Sequence, residues 1–199
     1  SYTVRLTVGE VEETTQVRVL KDPRLATTPA QNQEQDELLR ENVGELESLH
    51  RGVVRLGEVR DQVEAILEKA DEMDGTDEVQ RLGAALDDSL SLVEDSLVQW
   101  NTYDGQTVLN APSRINFQYI YLMGTVDGSD EGVNEGARKV LEDLNARWHP
   151  LRSRLEVLLD QGVATFNAEV RADGINPVFD TGGKPAGNLP VGHPTPPGP

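Results

Sequence analysis

The sequence predicts a mainly α-helical chain: an antiparallel bundle of three long helices plus short helices, preceded by a β-hairpin. Three observations carry this. Residues 2–20 alternate apolar and polar with period two, and three later stretches space their apolar residues by three or four. From residue 174 onward, proline and glycine make up about half of the chain.

The hairpin comes first. Tyr2, Val4, Leu6 and Val8 fall on one face, with Thr3, Arg5 and Thr7 on the other. After Gly9-Glu10 the alternation resumes with Thr15, Val17 and Val19, the pattern of two strands closed by a Gly-X turn. Two strands alone are marginal in water. Residues 1–21 therefore read as the last two strands of a β-sandwich whose remaining strands would precede Ser1; packing against the helices behind is the alternative. Lys21-Asp22-Pro23-Arg24 stops the second strand and opens a linker over 22–28.

The helical region spans 29–173. Thr28 can cap a helix that starts with Pro29 and carries Leu39, Val43, Leu46, Leu49, Val53, Leu56, Val63, Ile66 and Ala70 to about residue 71. Met73 to Thr76 form a turn, and Thr76 or Asp77 caps a second helix whose stripe, Val79, Leu82, Leu86, Leu90, Val93, Leu97 and Trp100, reaches about residue 102. A loop over 101–110 leads to a short, aromatic-rich helix capped by Asn110, expected to plug one side of the bundle. A third long helix begins near Asp130 with Val133, Ala137, Val140, Leu144, Trp148, Leu151, Leu155 and Leu158, and Pro150 should kink it. Val163 to Ala172 form a last short helix. Residues 174–199 read as a disordered Pro/Gly-rich tail, whose six final prolines form at most a proline-motif ligand.

Composition narrows the function. Thirty-five Asp and Glu against 18 Lys and Arg give a formal charge of −17, and only four of the bases are lysine. Phosphate recognition needs clustered Lys and Arg, so no nucleic acid is expected as a partner, and anionic membrane surfaces are disfavoured too. No apolar run is long enough to insert in a membrane. The absence of cysteine excludes disulfides, thiol catalysis and Cys-ligated zinc.

Four stretches, VRVLKDPR, ELLRENVGELESLHRGVVRLGEVRDQVEAIL, LNAPSRINFQYIYLMGTVDGSD and FNAEVRADGINPV, together resemble the C-terminal region of the bacterial secreted sortilin-like β-propeller proteins with BNR (Asp-box) repeats, described as glycosyl hydrolases of exo-sialidase-like type. The resemblance runs to about Val178 and is most specific at Asp22-Pro23-Arg24, Leu109 to Asn116 and Phe166-Asn167; it departs at Gly44, Gly52 and Pro150. It implies an immunoglobulin-like identity for the sandwich, an upstream propeller, and an extracytoplasmic location (secreted, periplasmic or cell-surface). No Asp-box run of the Ser-x-Asp-x-Gly-x-Thr-Trp kind occurs here, so no catalytic position of the family can be carried over.

The residues themselves offer little chemistry. Among so many acids no carboxylate pair stands out for glycoside hydrolysis, and Glu12-Glu13 and Asp87-Asp88 read as surface charge. Asp127 and Asp130 are weak calcium candidates: counted from Asp127, glycine falls at position six of an EF-hand loop, but position twelve is Arg138 where a bidentate Glu is required. A metal reading of Ala70 to Gly75 fails at its first residue. His50, His149 and His193 lack metal or triad spacing, GVNEG over 132–136 lacks a P-loop lysine, and Trp100 and Trp148 sit on core stripes. No cofactor is expected. The expectation is thus a non-catalytic accessory or interaction module serving as spacer, docking or dimerisation element, with the upstream domains and a second copy as its partners. The alternatives are an independent carbohydrate-active or metal-binding domain, and an envelope adaptor or chaperone.

Overall fold

A computed structural model of the chain describes residues 1–100, 111–180 and 182. It is mainly helical, with one two-stranded antiparallel hairpin. Strands β1 (Tyr2–Val8) and β2 (Val11–Val17) pair with Tyr2 opposite Val17 and Val8 opposite Val11. Gly9 takes φ +62° at the two-residue turn, a conformation that only glycine adopts freely. The second strand ends at Val17, so Val19 and Leu20 belong to the exposed linker.

Helix α1 (Pro29–Asp71) has 43 residues and is roughly 64 Å long at 1.5 Å per residue. Its start is a reciprocal cap: the Gln31 N–H donates to Thr28 Oγ1 (3.3 Å), and the Thr28 N–H donates to Gln31 Oε1 (2.8 Å). The buried stripe enters at Leu38 and Asn42, one residue earlier than the expected Leu39 and Val43. Asn42 is tolerated there because its Nδ2 donates to the Tyr119 carbonyl (3.1 Å). After a turn at Gly75 (φ +84°), α2 (Asp77–Leu97) begins. Thr76 stands at its cap position, but its hydroxyl donates back to the Ala70 carbonyl (2.7 Å) and ties the two helices together.

The remaining helices are α3 (Ile115–Asp127), α4 (Glu135–Val157) and α5 (Val163–Ala172), with a π-turn (Leu158–Gly162) joining the last two. Three boundaries differ from the expected ones. Helix α2 stops at Leu97, leaving Trp100 beyond its end. Helix α3 starts at Ile115 with Arg114 in the cap position; the expected cap Asn110 lies outside the described residues together with the rest of 101–110. Helix α4 starts at Glu135, not near Asp130, because Asn134 Oδ1 accepts the Ala137 N–H (2.7 Å). It is helical through Pro150, which leaves one backbone hydrogen bond unmade, and a π-turn follows eight residues later.

Cross-helix bonds give the directions. Gln80 Nε2 donates to the Leu67 carbonyl (2.7 Å) and Arg60 Nε to Asp87 Oδ1 (2.7 Å), so α2 runs antiparallel to the second half of α1. Gln35 and Asn42 bond the carbonyls of Val126 and Tyr119, so α3 runs antiparallel to the first half. Glu34 with Arg138, Glu41 with Asn145, and Glu45 with His149 keep a constant offset of 104 positions, so α4 runs parallel to α1. Helices α2 and α3 thus follow one another in the same direction, both antiparallel to α1, while α4 runs the same way as α1. The core between them is aliphatic, apart from Trp148, Tyr119 and Phe166 at its centre.

The chain stays packed beyond residue 173. The expectation of a loose tail from 174 fails for its first residues, because Ile175 (5% exposed) and Val178 (3%) insert into the core. Asn167 grips this strap from α5: its Nδ2 donates to the Val178 carbonyl (2.9 Å) and its Oδ1 accepts the Val178 N–H (2.7 Å). Gln62 on α1 repeats the arrangement with Phe179, at 2.9 Å both ways. Arg55 then clamps Asp180 through Nη2 (2.7 Å) and Nε (3.3 Å) while its Nη1 holds Glu156 (2.7 Å). Residue 181 and those from 183 lie outside the described residues.

Candidate functional site

The residues with chemical potential are dispersed. Asp127 ends α3 and Asp130 follows in an exposed turn, where its backbone carbonyl accepts the Thr27 hydroxyl. Arg138, at the position a calcium loop would give to glutamate, pairs with Glu34. Among the described residues no group of three or more His, Asp or Glu is gathered as a metal site. Glu12 and Glu13 point to opposite faces of β2, and Asp87 is paired with Arg60 while Asp88 is exposed. His50 lies on the outer side of α1, where desolvation lowers its imidazole pKa; His149 Nε2 is 3.1 Å from Glu45 Oε1; His193 lies outside the described residues.

The two tryptophans part company. Trp148 is fully buried against Gly52, where a Cβ would approach its ring to 3.6 Å. Trp100, expected on the core stripe, is 62% exposed, and its Nε1 donates to Glu94 Oε1 (3.0 Å). The GVNEG segment supplies a turn, with Gly132 at φ +84° and Asn134 as the α4 cap.

A polar seam that the sequence did not reveal crosses the meeting of α1, α3 and α4. The Tyr119 hydroxyl donates to Asn145 Oδ1 (2.8 Å), and Asn145 Nδ2 donates to Glu41 Oε1 (2.8 Å). Burial, reinforced by the negative charges of Glu45 and Glu41, raises the Tyr119 pKa well above that of a free phenol. The group is therefore a permanent donor at neutral pH. It ties α3 to α4.

Among the described residues, two apolar surfaces are left uncovered. All fourteen strand residues of the hairpin are exposed, which removes packing on the helices as its role. Register gathers Tyr2, Val4, Leu6, Val8, Val11 and Val17 on one face, interrupted by Thr15 opposite Val4 and Glu13 opposite Leu6. The other face is polar, with Gln16 Nε2 donating to Thr3 Oγ1 (2.8 Å) and Arg5 beside Glu12 (3.3 Å). The second surface is a cleft of about 460 Å³ between α3 and α4, bordered by Phe117, Tyr121, Leu122, Ala137 and Val140. The expected plug is realised by only half of α3: Ile115, Tyr119, Leu122 and Val126 are buried, while Phe117, Ile120 and Tyr121 face outward. Its sequence signal was an apolar run lacking helical amphipathicity, which marks a helix with more than one face to cover.

Comparison with protein-family models, curated proteins and solved structures finds no match to this chain.

Proposed function

We propose that the chain is a non-catalytic interaction module, a helical bundle that acts as a spacer and whose hairpin docks into a neighbouring β-domain. The observation that carries this reading is the hairpin's unpartnered apolar face. Six aliphatic and aromatic side chains on two strands expose a surface that folding elsewhere would bury at roughly 25 cal/mol per Å². The offset of 104 positions between α1 and α4 supports the spacer role, because its repeated ion pairs and hydrogen bonds hold one register over several turns.

The resemblance to the secreted sortilin-like propeller proteins gives the docking partner a concrete form: an immunoglobulin-like sandwich of the same chain, completed by β1 and β2, behind a glycosyl hydrolase-like propeller in an extracytoplasmic protein. Hydrogen exchange tests this. Amides of residues 2–8 and 11–17 should exchange rapidly in the 199-residue chain and become strongly protected in any natural form that carries a β-domain ahead of Ser1. Equal exchange in both forms, or a preceding sequence without a β-domain, refutes the reading.

A further inference from the structure

We propose that the outward face of α3, with its cleft against α4, docks a second copy of this chain, the two α3 helices lying antiparallel across a twofold axis near Tyr121. The surface does not involve the hairpin, so its test stands apart from the one above.

The first argument is composition. Between Ile115 and Val126, α3 has no charged residue, in a chain that is 27% charged. A helix that is apolar all round is stable in water only when covered all round. Here one side is buried and the other is bare: Tyr121 is 69% exposed, Phe117 41% and Ile120 40%. Val140, across the cleft, is 44% exposed. Gly124 leaves open space where a side chain would stand, and Gly136 lines the cleft, so a partner can approach both backbones closely.

The second argument identifies the occupant. The apolar surface has ends of opposite charge. Arg114 precedes α3, and Arg147 reaches the same end, donating from Nη1 to Gln118 Oε1 (2.7 Å). Asp127 and Glu135 stand at the other end. A second copy laid antiparallel sets base against acid at both ends at once, the self-complementary arrangement of a twofold dimer; a parallel copy sets like charges together. Tyr121 is the midpoint of α3, so the axis passes beside it and each ring enters the partner's cleft next to Val140.

Sedimentation velocity at about 0.15 M salt, where the screening length is about 8 Å, measures contact charges rather than the whole-chain repulsion. The chain should sediment as a dimer. Tyr121→Glu, and Val140→Asp on the opposite wall, should each weaken the dimer by at least about tenfold while retaining helical circular dichroism. Arg147→Glu and Glu135→Arg should each weaken it, and the double variant should recover most of the loss. A monomer at about 100 μM overturns the proposal, as does a dimer that withstands Tyr121→Glu. A dimer broken by Leu6→Lys instead would place the contact at the hairpin. A double variant no tighter than the single ones would overturn the antiparallel arrangement.

Discussion

Replacing Asn167 by alanine should release the strap at 174–180 and cost about 2–4 kcal/mol of global stability. The lower bound comes from the two hydrogen bonds to Val178, at 2.9 and 2.7 Å, each worth about 1 kcal/mol net. The loss is larger if the strap stays in place, because Asn167 is 6% exposed and Val178 3%, and an unpaired buried N–H or C=O costs about 1–3 kcal/mol. Peeling limits that cost. Once the strap lifts, Ile175 and Val178 lose burial worth about 1.5–3 kcal/mol each, but their polar groups regain water and the freed residues regain backbone entropy of about 1–2 kcal/mol each. Urea denaturation gives the size of the effect and hydrogen exchange its location. The Ile175 amide, which donates to the Val170 carbonyl (2.9 Å), and the Val178 amide should lose protection together. Gln62→Ala, whose pair with Phe179 is open to solvent, should cost less than about 1 kcal/mol. An Asn167→Ala variant within about 0.5 kcal/mol of the parent, with protection at residue 178 unchanged, would refute the reasoning.

Four further outcomes are expected. Gly57 has open space around its missing side chain, so Gly57→Ala should stabilise the chain by about 0.5–1 kcal/mol in thermal or urea denaturation, through helix propensity. At Gly83 a Cβ would meet Leu67 Cδ2 at 2.6 Å and Phe166 Cε2 at 3.0 Å, so Gly83→Val should destabilise by about 1–3 kcal/mol. The Arg55 guanidinium holds the Asp180 carboxyl below its usual pKa, against the opposing effect of burial and with help from the Gly182 N–H. A depressed folded-state value means that this stabilisation is complete above the unfolded carboxylate's pKa of about 3.9 and is lost as pH falls below it; Asp180→Asn should lose it at neutral pH and converge with the parent in acid, as urea midpoints would show. Finally, the charge of −17 is spread over helix surfaces, so the melting temperature should rise with ionic strength as repulsion is screened, and a melting temperature indifferent to salt would count against this.

The parts legible in the sequence were those set by neighbours along the chain. The Thr28 cap with Pro29, the Gly9 turn, the end of α1 and the stripe from Leu46 to Ala70 all follow from local spacing. What escaped was decided across helices. Asn42 takes a core position where Val43 looked the natural choice, because the carbonyl that satisfies it belongs to Tyr119, 77 residues away. Ile175 and Val178 lie in a Gly/Pro-rich stretch whose composition resembles a free tail, and their anchor, Asn167, is eleven residues from Val178. Trp100 continued the spacing of α2 on paper, but the backbone turns extended at Val98 (φ −129°, ψ 149°), carrying the indole outside. At α3 the apolar residues were visible individually. Their division into a buried and a bare face depends on where α1 and α4 lie.

The interruptions in the helices are staggered like the joints of brickwork. The gap between α2 and α3 falls beside residues 46–50 of α1, where α4 passes as unbroken helix around Trp148. The π-turn at Leu158–Gly162 sits further along, beyond the level of the Arg55 to Glu156 pair, where α1 and α2 are both continuous. There the apolar steps Leu155, Leu159 and Val163 are four and four residues apart, a local insertion that lets one helix match α3 first and α2 afterwards. Each joint therefore has two regular helices beside it, and a bending load applied there is carried by these intact neighbours.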